Sequence, residues 1–146
     1  SAYTKMHIAQ MLREVDELES VGDSMYHLAR TLSRKRQHEP SPFTNEQKAH
    51  MEEMLNLTDK ALGNMHSILL DNTSDPVDLK NAYGMESQLN DFRSKCRDEN
   101  LEAVNTGVYN YRLGTFYNDF IGECERIGDY VINVVQAENE ARQPVE

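Results

Sequence analysis

The sequence predicts an all-α protein, an up-down antiparallel bundle of four long helices. Apolar residues recur every three or four positions through four long segments, which is the period of an α-helix. Proline is confined to the breaks between these segments and to the C-terminal end. No segment alternates apolar and polar residues with a period of two, so we expect no sheet. A three-helix bundle with the first helix loosely attached is the structural alternative.

The first helix is predicted from about Tyr3 to Gln37. It ends in a basic run that suits the carbonyl end of a helix, and the prolines that follow it stop the helix. Its apolar residues keep the helical spacing and are predicted to face the core. They are Met11, Val15, Leu18, Val21, Met25, Leu28 and Leu32.

The second helix is predicted to start after Thr44, the N-cap, with Gln47 completing a capping box. Polar turn-forming residues at 71–74 end it. Its methionines at helical spacing are predicted to be core residues and not a metal-binding face. The predicted core residues are Met51, Met54, Leu55, Leu62, Met65 and Leu69.

Asp75 is the predicted N-cap of the third helix, with Pro76 at its first position and its end near Val104. The fourth helix is predicted from about Val108 to Glu140. The predicted buried residues of the third helix are Leu79, Ala82, Met85, Leu89, Phe92 and Cys96. Those of the fourth segment are Tyr109, Leu113, Phe116, Phe120, Ile127, Val131, Val134 and Val135.

Composition argues against several classes of function. The 146 residues carry a net charge of −10, which argues against nucleic acid and against adhesion to anionic lipid. No apolar run is long enough to span a membrane. Cys96 and Cys124 lie far apart in sequence without a Cys-x-x-Cys pattern, so a zinc site is not predicted and a reducing compartment is the simpler reading.

The chain contains an internal repeat. The pattern Glu-x-Glu-x-x-Gly-Asp occurs at 17–23 and again at 123–129, each time followed by an aliphatic stretch. In both copies the second glutamate and the aspartate are one helical turn apart, as Glu19 with Asp23 and Glu125 with Asp129. Like charges at this spacing and a glycine inside a helix both cost stability. A close helix–helix approach, or room for a ligand, would explain the glycine.

The segment Glu125-Arg126-Ile127-Gly128-Asp129 resembles the PhoU family, whose members carry these letters late in each three-helix repeat. The earlier copy at 19–23 matches with two substitutions. The resemblance covers nearly the whole chain, taken as a single PhoU-like bundle domain, residues 1–146. It implies the last helix of a first repeat, about 3–37, and a complete second repeat, about 44–140.

PhoU proteins bind metal ions through carboxylate pairs on adjacent helices. The resemblance therefore implies a metal site at Glu125 and Asp129, faced by Glu86 and Asn90 of the third helix, and a second set at Glu19 and Asp23. The family has an acid where Asn90 stands. The metal ions that the family binds are commonly iron or zinc. The residues predicted here offer only oxygen ligands, which favour a hard divalent cation. The sequence makes no cofactor certain.

PhoU proteins regulate phosphate uptake, and similar domains follow the membrane part of bacterial sodium/phosphate cotransporters. The resemblance thus implies a regulatory domain on the cytoplasmic side of the inner membrane. Its partners would be the transport domain of the same polypeptide or other phosphate-transport and signalling proteins. A free-standing regulator, a metal-free helical interaction module and a homodimer stay open. No Glu-x-x-His pair, nucleophile–base motif or phosphate-cradling glycine loop occurs, so no enzymatic activity is expected.

Overall fold

The computed structural model describes residues 1–71 and 73–143 and contains four α-helices. They are α1 (Ala2–His38), α2 (Asn45–Leu70), α3 (Leu79–Asn105) and α4 (Tyr111–Ala141). No strand occurs among these described residues. The prediction of an all-α bundle of four long helices is confirmed.

Consecutive helices run in opposite directions, and α4 is the helix that joins the others. It packs against all three, and α2 also packs against α3, whereas the described residues of α1 contact neither α2 nor α3. The Arg13–Glu140 ion pair near one end and a hydrogen bond from Arg112 to the His38 carbonyl near the other show that α1 runs antiparallel along α4. Helices α2–α4 therefore form a three-helix bundle, and α1 lies on its outside along α4.

The predicted start of α2 is confirmed by its capping box. The Thr44 side chain accepts a hydrogen bond from the Gln47 N–H at 3.1 Å, and the Gln47 side chain accepts one from the Thr44 N–H at 2.9 Å. This reciprocal pair satisfies two backbone donors and fixes where the helix begins.

The predicted start of α3 is wrong, because its N-cap is Asp78 and not Asp75. The Asp78 side chain accepts a hydrogen bond from the Asn81 N–H at 3.1 Å. Just before it, the Val77 N–H donates to Asn139 Oδ1 on α4 at 3.0 Å. That bond between distant parts of the chain holds the connection in a non-helical conformation, which the local signal of Asp75 and Pro76 does not reveal.

A glycine turn separates α3 from α4. Gly107 has a positive φ of 75°, and its N–H donates to the Val104 carbonyl at 3.2 Å. The Val108 N–H donates to the Ala103 carbonyl at 2.9 Å, which completes a Schellman motif. With Asn110 as its N-cap, α4 begins at Tyr111, so the predicted start near Val108 falls inside this turn.

The core lies between α2, α3 and α4. Its largest fully buried side chains are Tyr117, Met54, Leu89, Leu113, Ile121, Ile127, Val134, Val135, Cys96 and Cys124. Most of the predicted core residues of these three helices are buried or partly buried, but Leu55 is exposed. Over the described residues, no helix is both long enough and apolar enough to cross a membrane.

The apolar stripe of α1 faces solvent. Six residues at heptad spacing have exposed fractions between 38% and 59%: Ile8, Met11, Val15, Leu18, Met25 and Leu32. We call these six residues the α1 stripe. Only Val21 and Ser24 of α1 are buried, and polar side chains such as Glu17 contact α4. The prediction that these residues face the core is therefore wrong for Met11, Val15, Leu18, Met25 and Leu32, because α2 and α3 already cover the apolar side of α4. It is confirmed for Val21, which is buried, and for Leu28, which packs partly buried against the core.

Candidate functional site

The structure brings the four residues predicted on α3 and α4 to one face. Glu86 and Asn90 lie one turn apart on α3, and Glu125 and Asp129 lie one turn apart on α4, which runs in the opposite direction. Partial burial raises the pKa of Asp129, and the nearby charges of Glu125 and Glu86 raise it further. This face therefore holds three carboxylates whose negative charges repel one another.

Arg93 of α3 partly neutralises these charges. Its Nε atom lies 2.8 Å from Glu125 Oε2, and the Glu125 side chain is 19% exposed. Arg93 also acts on Asp129, because its positive charge lowers the pKa of that carboxyl against the larger effects that raise it. A cation bound between Glu125 and Asp129 would have to compete with this guanidinium.

Close helix packing explains the glycine of the α4 copy. A Cβ atom added at Gly128 would lie 2.6 Å from Cδ1 of Leu89, which is fully buried on α3. Only glycine lets the two helices approach this closely at that level. The sequence left two explanations for this glycine, and the structure supports the close approach.

Asn90 offers an amide where an acid would offer a carboxylate. Its Nδ2 atom donates to Glu86 Oε1 at 3.4 Å, and its buried Oδ1 atom has no hydrogen-bond partner. An amide here therefore reduces the negative charge by one while leaving one oxygen free to accept a hydrogen bond or to contact a cation.

The earlier acid pair lies elsewhere. Glu19 and Asp23 are both exposed on α1. Because the described residues of α1 do not contact α3, these acids face no third-helix residue equivalent to Glu86. The structure therefore gathers four of the six predicted site residues and leaves this pair apart.

Four arginines line a cavity of about 420 Å³ beside this face: Arg30, Arg34, Arg93 and Arg126. Such a cluster attracts anions. Glu123 and Asp119 line the same cavity, however, and Arg126 Nη1 lies 2.8 Å from Glu123 Oε1. The carboxylates offset much of the positive charge, and we assign this cavity no ligand.

A second group of ligand-type side chains lies at the end of the bundle where α2 begins. One atom each from Glu46, His50 and Glu99 lies within 4.8 Å of the others. Among residues 1–71 and 73–143, no other three His, Cys, Asp or Glu side chains meet this condition. Sequence reasoning missed the group, although Glu46 and His50 one turn apart at the start of a helix is a signal that would have found part of it.

The chain matches no family model, no curated protein and no solved structure. The fold alone defines the class of protein, which is an all-α helical bundle. The likeness to the PhoU family rests on the repeated motif alone.

Proposed function

We propose that the protein is a regulatory domain of phosphate transport. In this proposal it is the cytoplasmic part of a protein related to sodium/phosphate symporters, it lies at the inner membrane, and it acts by protein contact and not by catalysis. The link to phosphate rests on the motif at 125–129. Support comes from Glu86 and Asn90 of α3, which lie opposite that motif as the resemblance implies.

The observation that carries the contact mechanism is the α1 stripe. Its six apolar side chains are exposed and recur at heptad spacing on a helix whose only helical neighbour among the described residues is α4. Large apolar side chains aligned on one exposed face mark an interaction surface, since single exposed residues are normal but contiguous patches are not.

The spacing of the α1 stripe indicates what would cover it. Positions 8, 11, 15, 18, 25 and 32 fall on the a and d sites of a heptad repeat, which is the pattern that packs against another helix. At 1.5 Å per residue, the seam from Ile8 to Leu32 is about 36 Å long. We therefore propose that the occupant is an amphipathic helix of the transport domain.

The charges beside the stripe add a requirement for that helix. The exposed acids Asp16, Glu19 and Asp23 lie along the middle of α1, and the basic residues 34–36 lie near its end. A partner helix with basic residues opposite the first set and acidic residues opposite the second would bind in one direction only.

A charge placed in the stripe tests the proposal. In cells that express the full-length protein, Val15→Glu combined with Leu18→Glu is expected to abolish the response of phosphate uptake to external phosphate. Leu55→Glu is the control, because Leu55 is also exposed but lies on α2, away from the stripe. Unchanged regulation in the double variant, with the protein present at normal level, would exclude the stripe as the contact surface.

Light scattering of the purified domain separates the other occupants. A dimer that dissociates in the double variant would indicate that a second copy covers the stripe, and the proposal for the transport domain would then fail. A domain that regulates uptake without any linked or bound transporter would favour the free-standing regulator.

A helical interaction module without metal is the second candidate. The Arg93–Glu125 ion pair favours it, because this guanidinium already occupies the carboxylate that a cation would need. Metal analysis of the purified protein tests the choice: stoichiometric iron or zinc that disappears in Glu125→Gln would favour a metal-dependent regulator.

A further inference from the structure

The group Glu46, His50 and Glu99 is assembled from two helices, α2 and α3. Glu46 and His50 lie one turn apart at the start of α2, where the capping box of Thr44 and Gln47 holds the backbone. Glu99 lies near the end of the antiparallel α3, at the same level of the bundle. The three side chains therefore converge without any long loop between them.

The distances fit a bridging cation better than a direct contact. His50 Nδ1 lies 3.7 Å from Glu99 Oε2, which is too long for a hydrogen bond. Two ligand atoms that each lie about 2.1 Å from a tetrahedral zinc ion are roughly 3.4 Å apart. Small rotations of these partly exposed side chains are enough to reach that separation.

Two polar atoms at this place lack partners. Glu99 Oε2 and Gln47 Nε2 are both buried without a hydrogen bond, and the Gln47 side chain lines the cavity while the residue is only 3% exposed. The carboxylate oxygen is available to a cation. The amide is available to donate to a water molecule or a carboxylate oxygen bound to that cation.

The cavity has room for an ion with its water. Its volume is about 150 Å³, and Tyr109 and Tyr117 are among the residues that line it. Each water takes about 30 Å³ of liquid volume. Burial raises the pKa of Tyr117, so its hydroxyl stays neutral. This hydroxyl lies 3.0 Å from His50 Nδ1, and when Nδ1 holds the ion it can donate to Cys96 instead.

The charges at this place leave a net attraction for a cation. Glu46 and Glu99 supply two carboxylates, and Lys95 Nζ lies 3.9 Å from the other oxygen of Glu99. His50 adds an imidazole nitrogen as a third ligand atom. One imidazole and two carboxylates suit zinc and similar transition metals, whereas magnesium and calcium prefer oxygen alone.

We propose that Glu46, His50 and Glu99 bind one divalent transition-metal ion of the zinc type, with water in the remaining position. Such a site has three protein ligands and one exchangeable position. It lies at the start of α2, apart from the carboxylates of α3 and α4 that the sequence singled out. The proposal does not depend on the role in phosphate transport.

Titration calorimetry with zinc chloride on the chelator-treated protein tests the site. The unchanged protein is expected to bind one equivalent of zinc, and Glu46→Gln and His50→Ala are each expected to weaken binding at least tenfold. Glu46 is exposed, so its variant keeps the fold even if the His50 variant does not. His66→Ala is the matched control, because His66 is exposed on the same helix.

Three results would overturn the proposal. One is zinc binding that survives both variants, and another is zinc binding that disappears instead in Glu125→Gln or Asp129→Asn. The third is the absence of stoichiometric zinc binding at neutral pH. Cobalt(II) spectra supply an independent readout, because ligation by a cysteine thiolate would give strong sulfur-to-cobalt absorption, whereas the proposed site would give none.

Discussion

The two copies of the Glu-x-Glu-x-x-Gly-Asp motif have the same letters in different surroundings. On α4, Gly128 is buried against Leu89, Ile127 is buried in the core, and Glu125 is paired with Arg93. On α1, Val21 is buried in the same position of the motif, but an added Cβ at Gly22 would meet nothing within 4 Å.

This difference teaches that the motif acquires its structural role from the helix that faces it. The α4 copy packs against α3, so its glycine permits a close approach and its acids meet other charged groups. The α1 copy contacts only α4 among the described helices. Its Glu19, Gly22 and Asp23 remain exposed, whereas Glu17 accepts a hydrogen bond from Asn133 of α4. Matched substitutions in the two copies can therefore measure how much the facing helix contributes.

The largest expected difference concerns the aliphatic residue before the glycine. Ile127→Ala is expected to lower the free energy of unfolding by about 3 kcal/mol, because it opens a cavity in the three-helix core. Val21→Ala removes less apolar volume at the edge of the bundle, and we expect a loss of about 1.5 kcal/mol. Urea unfolding of both variants measures the two losses. Equal losses would mean that α1 is as tightly integrated as α4.

Replacing the two motif glycines with alanine is expected to change stability in opposite directions. Gly128→Ala forces Leu89 to move and is expected to cost about 1–3 kcal/mol through overpacking. Gly22→Ala meets no neighbour and is expected to gain up to about 1 kcal/mol, because alanine favours a helix interior. Thermal unfolding of the two variants checks the signs. A destabilised Gly22 variant would show that something covers this face of α1 in solution.

The contact between α1 and α4 is expected to depend on pH through Glu14. Burial raises its pKa from 4.5 to about 7, and a hydrogen bond and charge repulsion with Glu138 add to this. The folded protein therefore holds a proton that the unfolded chain releases near pH 4.5. The stability from this group is fully present below about pH 4.5 and is lost as the pH rises through 7.

The variant Glu14→Gln isolates this contribution. It is expected to be more stable than the unchanged protein at pH 8, and the difference in melting temperature should shrink towards pH 5. The ion pair between Arg142 and Glu138, 2.9 Å long, is present in both proteins. It therefore does not contribute to the difference between them. A difference in melting temperature that does not vary with pH would contradict the proposal that Glu14 holds a proton in the folded protein.

The smallest expected effect concerns the surface charges. Arg93→Gln removes the ion pair with Glu125 and is expected to cost at most about 1 kcal/mol, because both side chains are partly exposed. Glu19→Gln in the other copy is expected to change stability by less than about 0.5 kcal/mol. Chemical denaturation at low and high salt checks both values. A larger loss at Glu19 would reveal a partner for the α1 copy.

Local signals in the sequence predicted the helices well. The period of apolar residues predicted all four, and the pattern of Thr44 and Gln47 placed the start of α2 correctly. Such features depend on contacts within a few residues, so they can be read from the chain directly. The prediction of where α3 starts was wrong because the hydrogen bond from Val77 to Asn139 joins positions that are far apart in sequence.

The candidate sites were predicted in part for the same reason. The repeated letters singled out Glu125 and Asp129, and the resemblance to the PhoU family added Glu86 and Asn90 of the third helix. The group of Glu46, His50 and Glu99 escaped notice because Glu99 comes from another helix, and only packing brings it to the first two.

The sequence by itself determined that the chain forms four helices and that each has an apolar side, because helix period and capping are local properties. The tertiary structure decided which apolar side is buried. Helices α2 and α3 cover the apolar side of α4, so the α1 stripe remains in solvent although its spacing is as regular as any other. Burial depends on which surfaces meet, and that competition among helices is not encoded in the pattern of any one of them.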